Sequence, residues 1–163
     1  MDVLLEIADS ELGGKGSFTA RDIKKGEIIK ILSGERVSFG EITQRVKLGQ
    51  EKVDDPLQIG EETYLDLDES SRLINHSCEP NAGIRKECEL FALRDIRKGE
   101  EITFDYSTTV GIESGWWHMD CHCKSASCRK RIGNILTLPD SVLANYQKAG
   151  ALPDFITRQL KEI

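Results

Sequence analysis

Three cysteines within eight positions constrain this chain more tightly than any other feature: Cys121, Cys123 and Cys128 in the run DCHCKSASC. Five cysteines in all is an odd count, which argues against a simple disulfide framework. Thiolates at Cys-x-Cys-x4-Cys spacing can share one ion without a long loop to close, and tetrahedral zinc takes four such soft ligands. The pattern predicts an intracellular zinc site; buried or redox-active cysteines are the plainer reading. The fourth ligand has four candidates, Cys78, Cys88, His118 and His122. His122 lies between two of the cysteines, where ligand geometry is awkward, and His118 is local. Cys88 sits in the strand-like KECELFAL, as a small buried apolar side chain would. Cys78 sits in the polar run RLINHSCEPN. Spacing alone leaves the choice open.

At 163 residues the chain has the length of one domain. Its formal charge of −6 is unevenly spread: residues 1–113 carry 24 acidic and 15 basic side chains, residues 114–163 carry 4 and 7. An acidic body disfavours direct nucleic-acid binding and suits a cationic partner, although solubility alone also explains it. No apolar run is long enough to span a bilayer, and the opening MDVLLEIADS lacks the basic and apolar parts of a secretory signal. Neither a membrane nor an export route is expected.

The coarse organisation is that of a small β fold. ARDIKKGEIIKI (20–31) and LRDIRKGEEITF (93–104) echo each other, each an Asp/Lys/Gly turn feeding a β-branched run. Two copies make no solenoid; the expectation is one turn-and-strand solution used twice. Further strands are predicted in DVLLEIA, IIKILSGERV, TYLDLD and CELFALRDI, and a helix or mobile insert over 40–53. The tail differs in kind. LPDSVLANYQKAG offers Asp140 or Ser141 to cap a helix, Leu143 and Tyr146 on one face, and Gly150 to stop it. LPDFITRQLKEI puts Pro153 in a first helical turn, with Phe155, Ile156 and Leu160 at helical spacing. Two short terminal helices packed on the body are predicted.

Three further stretches could carry chemistry. In RLINHSCEPN, Asn75, His76, Ser77 and Asn81 would be costly to bury without partners, so their concentration around Cys78 favours a ligand site. GGKGSF (13–18) lacks both the strand–G-x-G-x-x-G–helix context of a dinucleotide loop and the GK[ST] of a P-loop. Such glycines ordinarily mark turns; their use in binding would be close backbone approach to an uncharged or zwitterionic ligand. In GEEITFDYS (99–107), Tyr106 follows a β-run and an aspartate where a strand would leave its sheet.

Taken in order, GGKGSF with DIKKGE, then RLINHSCEPN, GEEITFDYS and CHCKSASCRKRIG, the sequence closely resembles the SET-domain protein lysine methyltransferases with a post-SET zinc segment. The resemblance runs from about residue 3 to residue 133. It implies a mainly β fold of small antiparallel sheets with a threaded pseudoknot, where the Asn-His-Ser-Cys strand and the tyrosine-bearing segment cross near the active site. The implied division is a SET domain over 1–112, a zinc-pinned post-SET segment over 113–133 and a helical tail over 134–163. Matched by position, Cys78 becomes the fourth zinc ligand beside Cys121, Cys123 and Cys128, with Cys88 left over. The implied cofactor is S-adenosylmethionine, approached by Lys15 and Gly16 through their backbone and held at its adenine and amino-acid ends by Asn75 and His76. Arg72 is a further candidate. Trp116, Trp117 and Met119 precede the zinc cysteines, where relatives lay an apolar side chain on the adenine, and Trp117 is the candidate carried forward. Tyr106 matches the catalytic tyrosine beside the transferred methyl, and Phe104 and Leu57 match substrate-channel positions.

The implied reaction moves a methyl from a sulfonium to a lysine amine. Only about 0.1% of an unperturbed lysine, with its pKa of about 10.4, is the neutral nucleophile near pH 7.4. A narrow, desolvating channel beside a cation would favour that form, and in-line alignment is a positioning task. Two departures from the family stand out. Many relatives carry a channel tyrosine where this chain has DPLQIG, with Pro56 and Leu57, while Tyr64 reads as a different, structural position. Leu73 replaces a common phenylalanine. Phe104 leaves more room than a tyrosine, so addition of more than one methyl is expected. The implied substrate is a histone tail or another basic protein; the alternative is a catalytically weak SET-like module that binds peptide and zinc. The compact form looks like bacterial, archaeal or viral relatives, which would make the protein cytoplasmic if bacterial and nuclear if it acts on chromatin.

Overall fold

The computed structural model describes residues 3–163. Strands β1 (Leu5–Asp9) and β2 (Lys15–Thr19) form an antiparallel hairpin. β3 (Ile28–Ile31) and β4 (Gly34–Ser38) follow, then helix α1 (Phe39–Lys47), which overlaps the first half of the stretch 40–53 predicted as helix or insert. The Ser38 side chain caps α1 by accepting the Glu41 N–H, and Ile42 is buried beneath it. Next come β5 (Leu57–Gln58), β6 (Thr63–Leu67), the one-turn helix α2 (Glu69–Arg72) and β7 (Asn75–His76). β8 (Ala82–Arg85) and β9 (Glu89–Ala92) make a second hairpin. β10 (Thr103–Phe104), β11 (Met119–Asp120) and β12 (Arg131–Ile132) complete the strands, and α3 (Asp140–Ala149) and α4 (Asp154–Lys161) form the tail.

Two three-stranded antiparallel sheets, β3–β9–β8 and β4–β6–β5, make the body. Ile23, Ile29, Ile74, Ile84, Leu90, Ile96 and Ile102 close its core, each at most 1% exposed. At about 1.5–3 kcal/mol for each fully buried side chain, this aliphatic cluster is the main source of the body's cohesion. The parallel pair differs: β7 lies beside β10, with Asn75 next to Thr103 and His76 next to Phe104. Asn81 fastens this crossing. Its amide donates to the Glu101 carbonyl at 2.7 Å and accepts the Thr103 N–H at 3.0 Å, which satisfies a side chain that is 4% exposed. The small antiparallel sheets agree with the mainly β fold expected from the sequence.

The two echoing segments turn out to face each other. Ile23 and Ile96 exchange backbone hydrogen bonds of 2.8 and 2.9 Å. The Asp95 carboxylate accepts the Lys25 N–H at 2.9 Å, and the Asp22 carboxylate accepts the Lys98 N–H at 2.8 Å. Gly26 donates to the Ala92 carbonyl and Gly99 to the Thr19 carbonyl, both at 2.8 Å, and both glycines have φ of 84°. That left-handed conformation is why each turn needs glycine. The repeat is thus a local two-fold knot, each copy capping the other.

The tail departs from expectation by one residue at each helix start. Pro139 and Pro153 precede α3 and α4 in extended conformation, and Asp140 and Asp154 occupy the first turns without a side-chain cap bond. The acidic residues complement the helix dipole there and do not serve as caps. Phe155 and Ile156 are buried together with Tyr146, Leu152, Ile135 and the body's Phe91. Leu143 and Leu160 are half-buried at the edge of this cluster.

Candidate active site and metal centre

Tyr106 opens a short 3-10 turn (Tyr106–Thr109) immediately after β10. Its phenol donates to the Ile74 carbonyl at 2.7 Å and its backbone N–H to His76 Nδ1 at 3.1 Å. The ring packs between Phe104, 4.9 Å between centroids, and the His76 imidazole at 5.3 Å. Burial pushes the phenol well above its ordinary pKa, and Asp55, Asp54 and Glu101 push the same way, so it stays a neutral donor.

Tyr106 and Phe104 stand in the wall of a cavity of about 370 Å³. α1, the loop 53–56 before β5, the 3-10 turn and the segment before β11 surround it. Leu57, Arg72 and Trp117 share this cavity, as do Phe39 and Trp116. Tyr64, expected as a structural position, lines it too. Gln58 pairs with Tyr64 across β5 and β6, so the tyrosine reaches the cavity from the strand next to the one that lacks one. Asp54 and Asp55 bring carboxylates to the wall; Asp54 accepts the Trp117 indole N–H at 3.0 Å. The Arg72 guanidinium is already held by Asp66 at 3.0 Å and the Leu67 carbonyl at 2.9 Å.

Lys15, Gly16 and Asn75 gather instead around Glu101, outside the lining of that cavity. The Asn75 amide donates to the Lys15 carbonyl at 2.9 Å and to Glu101 at 2.7 Å, and Ser10 Oγ donates to the same carboxylate at 2.8–2.9 Å. A Cβ on Gly16 would stand 2.1 Å from the Glu101 carboxylate, so a larger residue there would displace the glutamate from Asn75. Lys15 turns its ammonium to Asp9 at 2.5 Å, leaving its backbone toward the site. Glu101 was missed in the sequence because GEE reads as an ordinary charged turn; nothing local marks the second glutamate as the partner of Asn75.

His76 belongs to a third group. A ring nitrogen of His76 and the sulfurs of Cys78, Cys121 and Cys123 lie within 4.8 Å of one another, all in buried residues. The Cys78 and Cys121 sulfurs are 3.7 Å apart, too far for a disulfide. Two sulfurs bound at about 2.3 Å to one tetrahedral ion stand about 3.8 Å apart, so the spacing fits zinc. Backbone N–H groups of Cys78 and Arg129 point at Cys123 and Cys78, each at 3.4 Å, as expected around thiolates. Burial alone would raise the Cys123 thiol, but hydrogen bonds from Ser125 and the Cys78 N–H, with the neighbouring Cys121, bring it down to about 6. Cys128 stands just outside, its thiol 3.5 Å from the Cys121 carbonyl.

Burial brings the His76 pKa down to about 4, Asp105 opposing and Arg129 assisting, so the ring is neutral at pH 7. Because Nδ1 accepts the Tyr106 N–H, the ring hydrogen sits on Nε2, which faces Cys78 Sγ at 3.4 Å. Metal ligation through Nε2 would set an Nδ1 hydrogen against that N–H. His76 therefore fits a donor to a thiolate better than a ligand, and Cys128 is the next cysteine to the group, although the structure does not bring its sulfur into it. Cys88 packs against the body core, apart from this group. His118 is held to the Trp116 carbonyl at 3.2 Å and also stays outside it.

These features define a class, and comparison with known proteins agrees. Residues 14–107 match the SET domain family, and the chain belongs to it. It is 37% identical over 141 residues to the variant-silencing SET domain-containing protein of Plasmodium falciparum, covering 76% of this chain and 5% of that protein. It is 31% identical over 162 residues to the H3 lysine-36-specific histone-lysine N-methyltransferase of Candida albicans, covering 91% of this chain and 19% of that one. A humanized mutant Polycomb Repressive Complex 2 of Chaetomium thermophilum, solved with the inhibitor GSK126, is similar in structure. Its TM-score is 0.59 at 26% identity over 67% of this chain and 15% of that one. The chain thus spans under a fifth of the length of these relatives.

Proposed function

We propose that the protein transfers methyl groups from S-adenosylmethionine to lysine side chains of a basic protein, a histone tail first among them. The observation that carries this reading is the Tyr106 phenol, fixed by the Ile74 carbonyl in the wall of an apolar cavity that also holds two aspartates. When bound, the cofactor supplies an activated methyl on a cationic sulfur. The chain's own part is placement. Phe104, Leu57 and Tyr64 would strip water from the lysine stem and so favour the neutral amine. Asp54 and Asp55 at the wall would attract the ammonium on entry. The Tyr106 hydroxyl and the neighbouring carbonyl would orient the amine in line with the methyl, and desolvation adds to that positioning. Lys15, Gly16, Asn75 and His76 would hold the cofactor, with Arg72 and Trp117 beside it. Phe104 leaves space for more than one methyl.

Zinc completes the reading. We propose Cys78, Cys121, Cys123 and Cys128 as its ligands, His76 supporting Cys78, so that residues 113–133 are pinned against a SET body over 1–112 and braced by the tail over 134–163. Among the described residues no helix is long and apolar enough to cross a membrane, and a chromatin substrate would place the protein in the nucleus.

The test supplies labelled S-adenosylmethionine with core histones or a lysate, for wild type beside Tyr106→Phe. Label on protein with wild type and at least a hundredfold less with the variant supports the enzyme. Tight cofactor binding without transfer to any protein would favour the inactive peptide-binding module.

A further inference from the structure

Resting on that reading, we propose that Tyr146, in tail helix α3, is a positioning residue for methyl transfer, acting through Asp105 on Tyr106. Asp105 is the residue before Tyr106, and its carboxylate has 0% side-chain exposure. A carboxylate buried so completely needs donors on both oxygens. Asp105 finds them on three separate parts of the chain. Oδ1 accepts the Ser107 N–H at 3.1 Å, which caps the 3-10 turn that carries Tyr106. Arg129, from the cysteine segment, forks onto both oxygens at 2.7 Å. Oδ2 also accepts the Tyr146 hydroxyl at 3.0 Å, across 41 residues of sequence.

Packing does not account for that hydroxyl. Tyr146 is buried in an apolar cluster with Leu152, Phe155 and Ile156, where a phenylalanine ring would serve as well. What the oxygen adds is a second donor on Oδ2, from a different part of the chain than Arg129, so that the carboxylate is held from the tail as well as from the cysteine segment. The Tyr106 backbone N–H and hydroxyl are held by His76 and Ile74 and its carbonyl accepts the Thr109 hydroxyl at 3.1 Å, so the Asp105 cap is one of the holds on this turn and the one that reaches the tail. A shift of a fraction of an ångström there moves the phenol relative to the reacting atoms, and methyl transfer tolerates little misplacement. The tail therefore braces the reacting geometry as well as the core.

The test uses the full chain with core histones and S-adenosylmethionine, comparing wild type, Tyr146→Phe, Leu143→Ala and Asp105→Asn. Tyr146→Phe keeps the ring and is expected to lower kcat about tenfold while KM for both substrates and zinc content stay within about twofold. Leu143→Ala, which trims the same helix at the cluster's edge, should lower Tm at least as much and leave kcat unchanged. In an Asp105→Asn background, Tyr146→Phe should add less than about twofold, because asparagine keeps a single acceptor oxygen and Arg129 competes for it. A Tyr146→Phe kcat within about twofold of wild type, or a kcat loss shared by Leu143→Ala, would overturn the inference and leave Tyr146 as packing. Equal losses of Tyr146→Phe in both backgrounds would also overturn it. Absence of transfer by wild type itself would sink the underlying reading, and this one with it.

Discussion

In the body, β3, β8 and β9 close over Ile29, Ile84, Leu90 and Ala92, none of which exposes any surface. In the cysteine segment, the two-residue strands β11 and β12 close over Trp117, Ile132 and the sulfurs of Cys78, Cys121 and Cys123. Ordering each residue costs on the order of 1–2 kcal/mol of backbone entropy in either place. The body offsets that with a continuous aliphatic cluster. The cysteine segment has two large apolar side chains to bury, worth about 1.5–3 kcal/mol each, and needs a cross-link. A structural zinc ion in the proposed site would supply one of the right size, about 10–16 kcal/mol in small domains. The body would then stand without the metal, while the segment beside Trp117 and His76 would depend on it. Tyr106 lies at the seam, packed against both clusters.

The sharpest way to break this contrast is Cys121→Ser. It should remove bound zinc and abolish methyl transfer, while far-UV circular dichroism and the body's unfolding transition persist; elemental analysis and a melt check both. Loss of the whole fold would erase the distinction between the regions.

Acid should separate the regions next. Cysteine ligands must be deprotonated, and burial raises the Cys78 and Cys121 thiols although Cys123 is held down, so protons compete with zinc as pH falls and the metal should leave before the body's carboxylates are protonated. The body's carboxylates behave differently. Asp68 is held below its usual value chiefly by the Ser33, Ser71 and Ser70 donors that outweigh its burial, and Glu100 by Arg94. A depressed carboxylate stabilises the fold above its unfolded pKa, about 4, and that contribution is lost as pH falls through the lower folded value. Zinc release monitored by a dye and circular dichroism should therefore give two transitions, metal first.

A core truncation should do the reverse. Leu90→Ala should cost the body about 3 kcal/mol, read by denaturant unfolding, with zinc still bound one per chain in the folded protein. The smallest effect lies inside the body. Asp22→Ala and Asp95→Ala remove matching caps of the two-fold knot, so each should cost about 1 kcal/mol and the two should agree closely.

The cysteine cluster, the echoing turns and the terminal helices were legible because each is a local pattern of spacing or periodicity. The sequence could show that ARDIKKGE and LRDIRKGE repeat, but not that Asp22 and Asp95 cap each other's turns. It marked Asn75 and Asn81 as costly to bury, yet their partners Lys15, Glu101 and Thr103 come from distant segments. Tyr64 looked structural because its approach to the cavity depends on the pairing of β5 with β6. Asp105, Arg129 and Tyr146 are unremarkable in sequence and meet only through the tertiary fold. Buried charge finds its donors by topology, which no window of sequence contains.

The most direct measurement removes zinc from the wild-type protein with a chelator and follows S-adenosylmethionine affinity by calorimetry beside circular dichroism. The expected result is one zinc released per chain, at least a tenfold weaker cofactor affinity, recovery on adding zinc back, and an unchanged body spectrum. A zinc-free protein that binds S-adenosylmethionine as tightly as before would contradict a metal-held segment completing the site.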